Sequence, residues 1–152
     1  MLLKLRRLES LLLNGSQITD AGLAQLGRLR SLKALSLRAL STLEDDEVPF
    51  TGTGFSAWPS DHGLVEFEAY NTAFTDDGII ALARLPKLSV LDISNCRDIE
   101  GEKWSAMPVP VFHSLTEICI DPFADKDRFL TAQPLLKKVN HSPWPKSKKA
   151  VE

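Results

Sequence analysis

The imidazole and thiol side chains, which are the usual ligands of zinc, are few and scattered along the chain. They are three histidines and two cysteines, namely His62, His113, His141, Cys96 and Cys119. None of them falls in an H-E-x-x-H or C-x-x-C spacing, which holds zinc in many proteins. A site made from Cys96, Cys119 and His113 is the alternative, but the strand period is expected to turn Cys96 inward and Cys119 outward. The sequence therefore predicts no metal and no cofactor.

Paired carboxylates and nucleophile motifs give no better candidate for catalysis. Asp45 and Asp46 are adjacent, as are Asp76 and Asp77. Adjacent side chains diverge on a helix or strand, so they do not face each other as an acid and a base. No G-x-S-x-G motif is present, and "TGTGFS" lacks the Lys-Ser/Thr pair of a phosphate loop. We therefore expect a protein that is not an enzyme.

Leucines recur in an L-x-x-L-x-L spacing that would build the framework of any site. The five sets are Leu8/Leu11/Leu13, Leu32/Leu35/Leu37, Leu64/Phe67/Ala69, Leu88/Leu91/Ile93 and Leu115/Ile118/Ile120. Their first residues lie 24, 32, 24 and 27 positions apart, so one interval carries about eight extra residues. The last two residues of each set alternate as in a strand, and Leu23, Leu26 and Leu29 continue with helical spacing. Each unit is thus predicted to be a strand, a turn and a helix that stack on neighbouring units.

Two segments extend this match. "ITDAGLAQLGRL" at 18–29 and "FTDDGIIALARL" at 74–85 share six of twelve residues. With the leucines before them they resemble leucine-rich repeats, similar to the cysteine-containing subclass of F-box-type receptors and to related bacterial 24-residue repeats. The resemblance implies an α/β fold, a right-handed solenoid of about five strand-turn-helix units with a short parallel concave sheet. We expect this domain over residues 1–139 and a basic, disordered tail over 140–152.

Polar residues at the predicted helix starts have a structural interpretation. Thr19 and Asp20, like Thr75 and Asp76, stand where the first N–H groups of a helix lack partners. Their side-chain oxygens are expected to accept hydrogen bonds from those groups.

Small residues inside the repeat also have predicted roles. Ser16, Thr72 and Cys96 occupy a turn position, where their small side chains are expected to sit inside the turn and to hydrogen-bond exposed loop amides, Cys only weakly. Gly22 and Gly78 fall in the first helical turn, where glycine is unfavourable unless a neighbouring unit packs closely against it.

Residues 41–63 interrupt the repeat and are predicted to form an irregular insertion. The segment contains glycines, prolines and an acidic run over 44–47, which favour a loop. Its aromatic residues Phe50, Phe55 and Trp58 either pack back onto the solenoid or form an exposed anchor. We favour packing, because exposed large rings are costly unless they are functional.

The first residues admit two interpretations. Leu2 and Leu5 align with Leu26 and Leu29, so the sequence starts midway through a unit. The chain is then either part of a longer solenoid or is closed by a one-turn cap over residues 1–7, since terminal repeats need a polar outer face.

Outward residues of the predicted strands form the candidate binding face, because the concave sheet of a solenoid is its usual binding surface. The partner-binding candidates are Arg38, Glu66, Glu68, Tyr70, Asp92, Glu117 and Asp121. Five of them are acidic, so the specific hypothesis is a basic peptide or protein centred on Tyr70, Glu68 and Asp92. The alternative is a solvated polar face without a ligand.

Composition limits the partners and the location. The net charge of −2 gives no reason to expect nucleic acid, and no apolar run of about 18 residues predicts a membrane span. The start "MLLKLRRLESLLL" lacks the continuous apolar region of a signal peptide, so we expect a cytoplasmic protein.

The predicted function is a non-enzymatic protein-protein interaction module that binds its partner on the concave face. One alternative is a structural or accessory segment of a longer multidomain repeat protein. The other, implied by the resemblance, is the substrate-recruiting repeats of an F-box-type ubiquitin ligase receptor.

Overall fold

Short parallel strands alternate with helical segments through the chain. The computed structural model describes residues 6–14, 18–38, 50–96, 98–101, 109–121 and 126–140. Within these ranges, the strands are β1 (Ser10–Asn14), β2 (Ala34–Arg38), β3 (Glu66–Glu68), β4 (Val90–Asp92), β5 (Glu117–Cys119) and β6 (Lys138–Asn140). The helical segments are α1 (Asp20–Leu26), a 3₁₀ helix (Thr53–Ala57), α2 (Asp76–Leu82) and α3 (Lys126–Thr131). The strands pair in chain order in one parallel sheet, as in a stacked repeat.

The strand register follows the alternation predicted from the leucine spacing. Leu35 pairs with Phe67, Phe67 with Leu91 and Leu91 with Ile118. These four side chains are at most 2% exposed, while the residues on either side of each point to the opposite face. The core is therefore one apolar stack between the sheet and the helical segments.

A sixth strand extends the sheet beyond the five that the leucine spacing predicted. β6 joins β5 through the pairs Glu117–Lys138, Ile118–Val139 and Cys119–Asn140. The strand ends at Asn140, the first residue of the predicted tail. The rest of that tail, residues 141–152, lies outside the described residues.

Threonines cap the helix starts of the two similar segments, 18–29 and 74–85, as predicted. Thr19 Oγ1 accepts a hydrogen bond from the Gly22 N–H at 3.2 Å, and Thr75 Oγ1 accepts one from the Gly78 N–H at 3.4 Å. Both threonines have extended backbone torsions, as N-cap residues do. The repeated Thr therefore fixes where each helix begins.

The aspartates that follow these threonines bind the next unit instead of their own helix start. The Asp20 carboxylate accepts four hydrogen bonds from residues 51–54, at 2.6–3.0 Å. The Asp76 carboxylate accepts one from the Gly101 N–H at 3.1 Å. The role predicted for Asp20 and Asp76 is therefore wrong, because the Thr side chain already caps the helix and the carboxylate reaches across the unit boundary.

The predicted irregular insertion over 41–63 contains a repeat unit. "FTGTGFSA" at 50–57 aligns with "FTDDGIIA" at 74–81, 24 positions later, with four identical residues. The 3₁₀ helix in this segment packs against both α1 and α2. The prediction of an irregular segment is therefore wrong for residues 50–57. Thr51 and Gly54 match Thr75 and Gly78 of the clearer unit, although Gly52 and Thr53 replace its two aspartates. Residues 41–49 lie outside the described residues.

Glycine allows close contact where these units meet. A Cβ added to Gly54 would lie 2.3 Å from the Asp20 carbonyl oxygen, and one added to Gly78 would lie 2.3 Å from the Thr51 carbonyl oxygen. The close packing predicted for Gly78 is therefore confirmed. The nearest atoms to a Cβ on Gly22 belong to its own unit, so that prediction does not hold for Gly22 within the described residues.

The aromatic residues of this unit pack inward. Phe50, Phe55 and Trp58 are 5%, 1% and 3% exposed. The ring centroid of Phe55 lies 4.9 Å from those of Trp58 and Phe67. The Trp58 indole N–H donates to the Leu23 carbonyl oxygen at 2.9 Å, which satisfies its polar group. Packing onto the solenoid is therefore confirmed, and the exposed-anchor alternative is wrong.

A buried turn links neighbouring units. The Thr72 hydroxyl donates to the Ala69 carbonyl oxygen at 3.2 Å and accepts from the Phe74 N–H at 3.3 Å. The Cys96 thiol donates to the same Ala69 oxygen at 2.7 Å, and burial raises the pKa of this thiol to about 11. The predicted role is confirmed at Thr72, which bonds the Phe74 amide. Cys96 is buried in the turn as predicted, but it donates to a carbonyl oxygen instead of bonding an amide. Ser16 lies outside the described residues.

His62 is fully buried beneath the end of the 3₁₀ segment. Its Nδ1 accepts a hydrogen bond from the Leu64 N–H at 3.2 Å, and its Nε2 lies 3.2 Å from the Leu29 carbonyl oxygen. The ring is therefore neutral with its proton on Nε2, because both contacts need this tautomer. Its centroid lies 4.4 Å from that of Trp58.

We expect His62 to make stability depend on pH. Burial lowers the pKa of the His62 imidazole, and the charges of Arg30 and Lys33 lower it further. The unfolded chain then binds a proton below about pH 6.5 that the folded chain does not, so the free energy of unfolding falls from about pH 7 to about pH 5.5. His62→Gln, which can form both hydrogen bonds without titrating, should lose less over this window in urea denaturation. Equal losses would contradict the assignment.

Candidate functional site

The outward face of the sheet is an open groove with a volume of about 630 Å³. One row of paired residues is Ser10, Ala34, Glu66, Val90, Glu117 and Lys138. A second row is Leu12, Ser36, Glu68, Asp92, Cys119 and Asn140. Because side chains alternate across a strand, the residues between these rows point to the opposite face. Those of β2 to β5 are buried in the core, whereas Val139 in β6 is 36% exposed.

An ion pair occupies the middle of the groove. Arg38 Nη2 lies 2.7 Å from Glu68 Oε1 and 2.9 Å from Oε2. The Ser36 hydroxyl donates to Glu68 Oε2 at 2.7 Å. The structure therefore brings the predicted site residues Arg38 and Glu68 together across β2 and β3. Since Arg38 balances the Glu68 charge, this carboxylate attracts an external cation less than the sequence predicted.

Asp92 belongs to the groove lining but is almost fully buried, at 9% exposure. Its Oδ1 accepts from the Ser94 N–H at 2.9 Å and from the Ser94 hydroxyl at 2.5 Å. Burial raises the pKa of the Asp92 carboxyl, and the two hydrogen bonds oppose this rise. The prediction that Asp92 is an exposed contact is wrong, because the side chain folds back on the residues after β4.

A second polar cluster lies at the β6 end of the groove. Glu117 Oε1 accepts from the Lys138 ammonium group at 2.6 Å and from the Asn140 amide at 3.0 Å. These contacts hold the pKa of the Glu117 carboxyl below its usual value. Glu117 therefore lies in the groove as predicted, and the Lys138 cation beside it was not predicted from the sequence.

Tyr70 and Asp121 follow the ends of their strands and are not among the groove-lining residues. Tyr70 is half-buried, and the Asp121 carboxylate accepts a hydrogen bond from the Asn95 N–H. The predicted centre of Tyr70, Glu68 and Asp92 is thus not an exposed cluster. Three-residue strands end before these positions, so the alternation no longer fixes where the side chains point.

Glu66 and Leu12 are two exposed residues of the groove. The Glu66 side chain is exposed next to the Arg38–Glu68 pair, as the sequence predicted. Leu12 is 58% exposed. Strand alternation predicts that it points outward, but it is not among the predicted partner-binding residues. Lys138 and Asn140 were also not predicted. Leu136 and Val139 repeat the first two apolar positions of the earlier units, which would have marked the residues on either side of Val139 as outward.

The two thiols lie apart, as expected, although Cys96 follows β4 and is not itself in a strand. Cys96 is buried and Cys119 is half-buried in the groove lining, and both are free. Over the described parts of the chain, no three His, Cys, Asp or Glu side chains are grouped so as to hold a metal ion. None of the helices described there has the length and apolar content needed to span a membrane.

No protein-family model and no curated protein matches the chain. Among solved structures, it is similar to a chain in the crystal structure of a Rad7 and Elc1 complex in yeast, with a TM-score of 0.55 and 20% sequence identity. The similarity covers 86% of this chain and 35% of that chain, so this chain spans about a third of the length of the similar one. The likeness shows the fold alone, that of a repeat protein with a parallel sheet.

Proposed function

We propose that this chain is a non-enzymatic protein-interaction module that binds a protein or peptide partner in the concave groove. The observation that carries this proposal is the groove itself, a face of six strands that no other described element covers. Its polar side chains are held by contacts between units, such as the Arg38–Glu68 pair. A face with fixed side chains loses little conformational freedom when a partner binds.

The partner that best fits has a cationic group beside an apolar one. The charged residues that line the groove are Arg38, Glu66, Glu68, Asp92 and Glu117. Arg38 and Lys138 balance two of the four carboxylates, and Asp92 is nearly inaccessible. Glu66 is the remaining exposed carboxylate in this set, and Leu12 supplies an exposed apolar surface. A basic residue at Glu66 and an apolar residue at Leu12 would complement both.

We further propose that the repeats are leucine-rich repeats of the cysteine-containing type, wound as a right-handed solenoid of about five units. Support comes from the predicted strand register, from the Thr caps at the helix starts, and from the turn in which Thr72 and Cys96 share the Ala69 carbonyl oxygen. A cytoplasmic location is part of the same proposal, since Cys96 and Cys119 are free thiols of the kind that reducing compartments maintain.

A second candidate is a segment of a longer multidomain repeat protein. Within the described residues, β1 pairs with β2 and has no strand on its other edge. Leu11 and Leu13 are only partly buried there, whereas the matching residues Leu35 and Leu37 are at most 2% exposed. A further unit stacked on β1 would bury them. The F-box-type receptor alternative rests on the sequence resemblance. The similar structure is a complex of Rad7 and Elc1, which agrees with a protein partner in general.

The test is to capture a partner with the intact chain and to measure its affinity for a groove variant. Glu66→Lys reverses an exposed groove charge and should weaken binding about tenfold or more, because close charge pairs across interfaces contribute on this scale. Glu100→Lys makes the same change in charge at an exposed position outside the groove, and should change affinity less than about twofold. Isothermal titration of the purified partner with each variant gives these affinities.

A further inference from the structure

Cations collect along the edge of the sheet where the strands begin. Because the strands are parallel and follow one another in chain order, every segment that leads into a strand lies along this edge. For β2 to β6 these segments are 27–33, 57–65, 83–89, 109–116 and 132–137. They contain six exposed Lys and Arg residues, which we call the basic rim: Arg28, Arg30, Lys33, Arg84, Lys87 and Lys137. The same segments contain one carboxylate, Asp61. The residues before β1 add Arg6, Arg7 and one exposed carboxylate, Glu9.

This excess of basic residues is unusual, because the whole chain has 18 basic and 20 acidic residues. Randomly placed charges would give these segments about equal numbers of each. Backbone hydrogen bonds hold the rim in line. The Lys33 carbonyl oxygen accepts from the Val65 N–H at 2.8 Å, and the Lys137 N–H donates to the Thr116 carbonyl oxygen at 2.9 Å. The rim is therefore a fixed stripe of charge at right angles to the strands.

The length of the stripe follows from the strand spacing. Lys33 precedes β2 and Lys137 precedes β6, so they are about 19 Å apart at roughly 4.8 Å per strand. An extended peptide covers this distance with about six residues. The rim thus has the dimensions of a short linear peptide.

Carboxylates fit the rim better than nucleic acid does. Arg30 already binds the Asp61 carboxylate at 2.7 Å, and Arg84 Nη1 donates to the Ser56 carbonyl oxygen at 3.1 Å. Binding of single-stranded nucleic acid usually needs exposed aromatic rings for base stacking. Trp58 and Phe112, the Trp and Phe residues of the rim segments, are 3% and 0% exposed, which leaves the imidazole of His113 as the exposed aromatic ring of these segments. Cations with few exposed rings beside them favour a carboxylate-bearing peptide over a nucleic acid.

We propose that the basic rim binds an acidic, extended protein segment of about six residues, as a second interaction surface separate from the concave groove. Arg28 and Lys87 are the rim residues most available to a partner, since both are exposed and neither forms an ion pair with another described residue. The Arg28 end adjoins a shallow depression lined by Ala24, Ala57 and Pro59, which gives an acidic segment an apolar contact beside the charges.

The probe is a fluorescent hexaglutamate peptide titrated with the full chain at low salt, followed by anisotropy. Wild-type protein should bind, and affinity should fall as salt rises, because the contacts are exposed charges. Arg28→Glu with Lys87→Glu should weaken binding about tenfold or more, and Arg28→Gln with Lys87→Gln by an intermediate factor. Lys126→Glu with Arg128→Glu changes the net charge equally on α3, outside the rim, and should change affinity less than about twofold.

Three results would overturn the proposal. The first is wild-type protein that does not bind hexaglutamate at low salt. The second is an equal loss in the rim and α3 variants, which would indicate a response to net charge alone. The third is tighter binding of an oligothymidylate of similar charge, which would indicate a nucleic-acid surface. Urea denaturation midpoints matched to wild type confirm that the substitutions leave the fold intact.

Discussion

Phe55→Ala should lower the free energy of unfolding by about 3–5 kcal/mol, the usual cost of removing a fully buried phenylalanine ring. Phe55 is 1% exposed, and its ring lies 4.9 Å from the rings of Trp58 and Phe67. A third ring, that of Phe74, lies 6.5 Å away. The 3₁₀ helix and the sheet share this contact, so the cavity would form where two layers meet.

The measurement is urea denaturation followed by circular dichroism. Leu12→Ala is the matched control, since Leu12 is a large apolar residue at 58% exposure, and it should change stability by less than about 0.5 kcal/mol. Because small domains have only about 5–15 kcal/mol of stability, the Phe55 variant should be partly unfolded at moderate urea. A loss below about 1 kcal/mol would mean that residues 50–63 are not built into the core.

Asp20→Ala should lower the free energy of unfolding by about 2–4 kcal/mol, because it leaves several donors at a unit boundary without their charged acceptor. Asp20 Oδ2 accepts from the N–H and the hydroxyl of Thr51, at 3.0 and 2.6 Å. Asp20 Oδ1 accepts from the N–H groups of Gly52 and Gly54, at 2.9 and 3.0 Å. One carboxylate therefore fixes the first turn of the next unit.

Two further variants separate this role from a general effect of charge. Asp20→Asn keeps the size of the side chain but turns an amide toward two of the donors, so it should also destabilise the protein. Asp98→Ala removes an exposed carboxylate and should change stability by less than about 0.5 kcal/mol. Equal small losses for Asp20→Ala and Asp98→Ala would contradict the link between units.

The sequence predicted the parts of the fold that depend on apolar periodicity and on caps. The spacing of Leu35, Phe67, Leu91 and Ile118 gave both the buried face and the register, because strand alternation leaves one arrangement that buries all four. The repeated Thr gave the helix starts for a similarly local reason, since an N-cap bonds an amide three residues away.

The 3₁₀ unit and β6 escaped prediction because their motifs are degraded. Gly52 and Thr53 replace the two aspartates of the clearer unit, so the segment reads as a glycine-rich loop. Its fold comes from tertiary contacts, with Phe55 in the core and Gly54 against the Asp20 backbone. Only Leu136 and Val139 keep the apolar spacing of the earlier units before and within β6. The strand forms by pairing with β5.

The candidate site was predicted as a set of outward positions but not as an electrostatic surface. Alternation placed Glu66, Glu68 and Asp92 on the outward face. It does not predict that Arg38 reaches across to Glu68, or that Asp92 folds back onto Ser94. Such contacts depend on side-chain rotamers between strands. They leave Glu66 as the accessible carboxylate of the three.

The most direct test of the groove as the binding surface is the affinity of a captured partner for Glu66→Lys and Glu100→Lys, measured side by side with wild type. A partner in the groove predicts a loss of about tenfold or more for Glu66→Lys and a change below about twofold for Glu100→Lys. The loss should shrink as salt screens the exposed charge. Wild-type affinity in the Glu66 variant, or a larger loss in the Glu100 variant, would contradict the proposal that the partner binds in the concave groove.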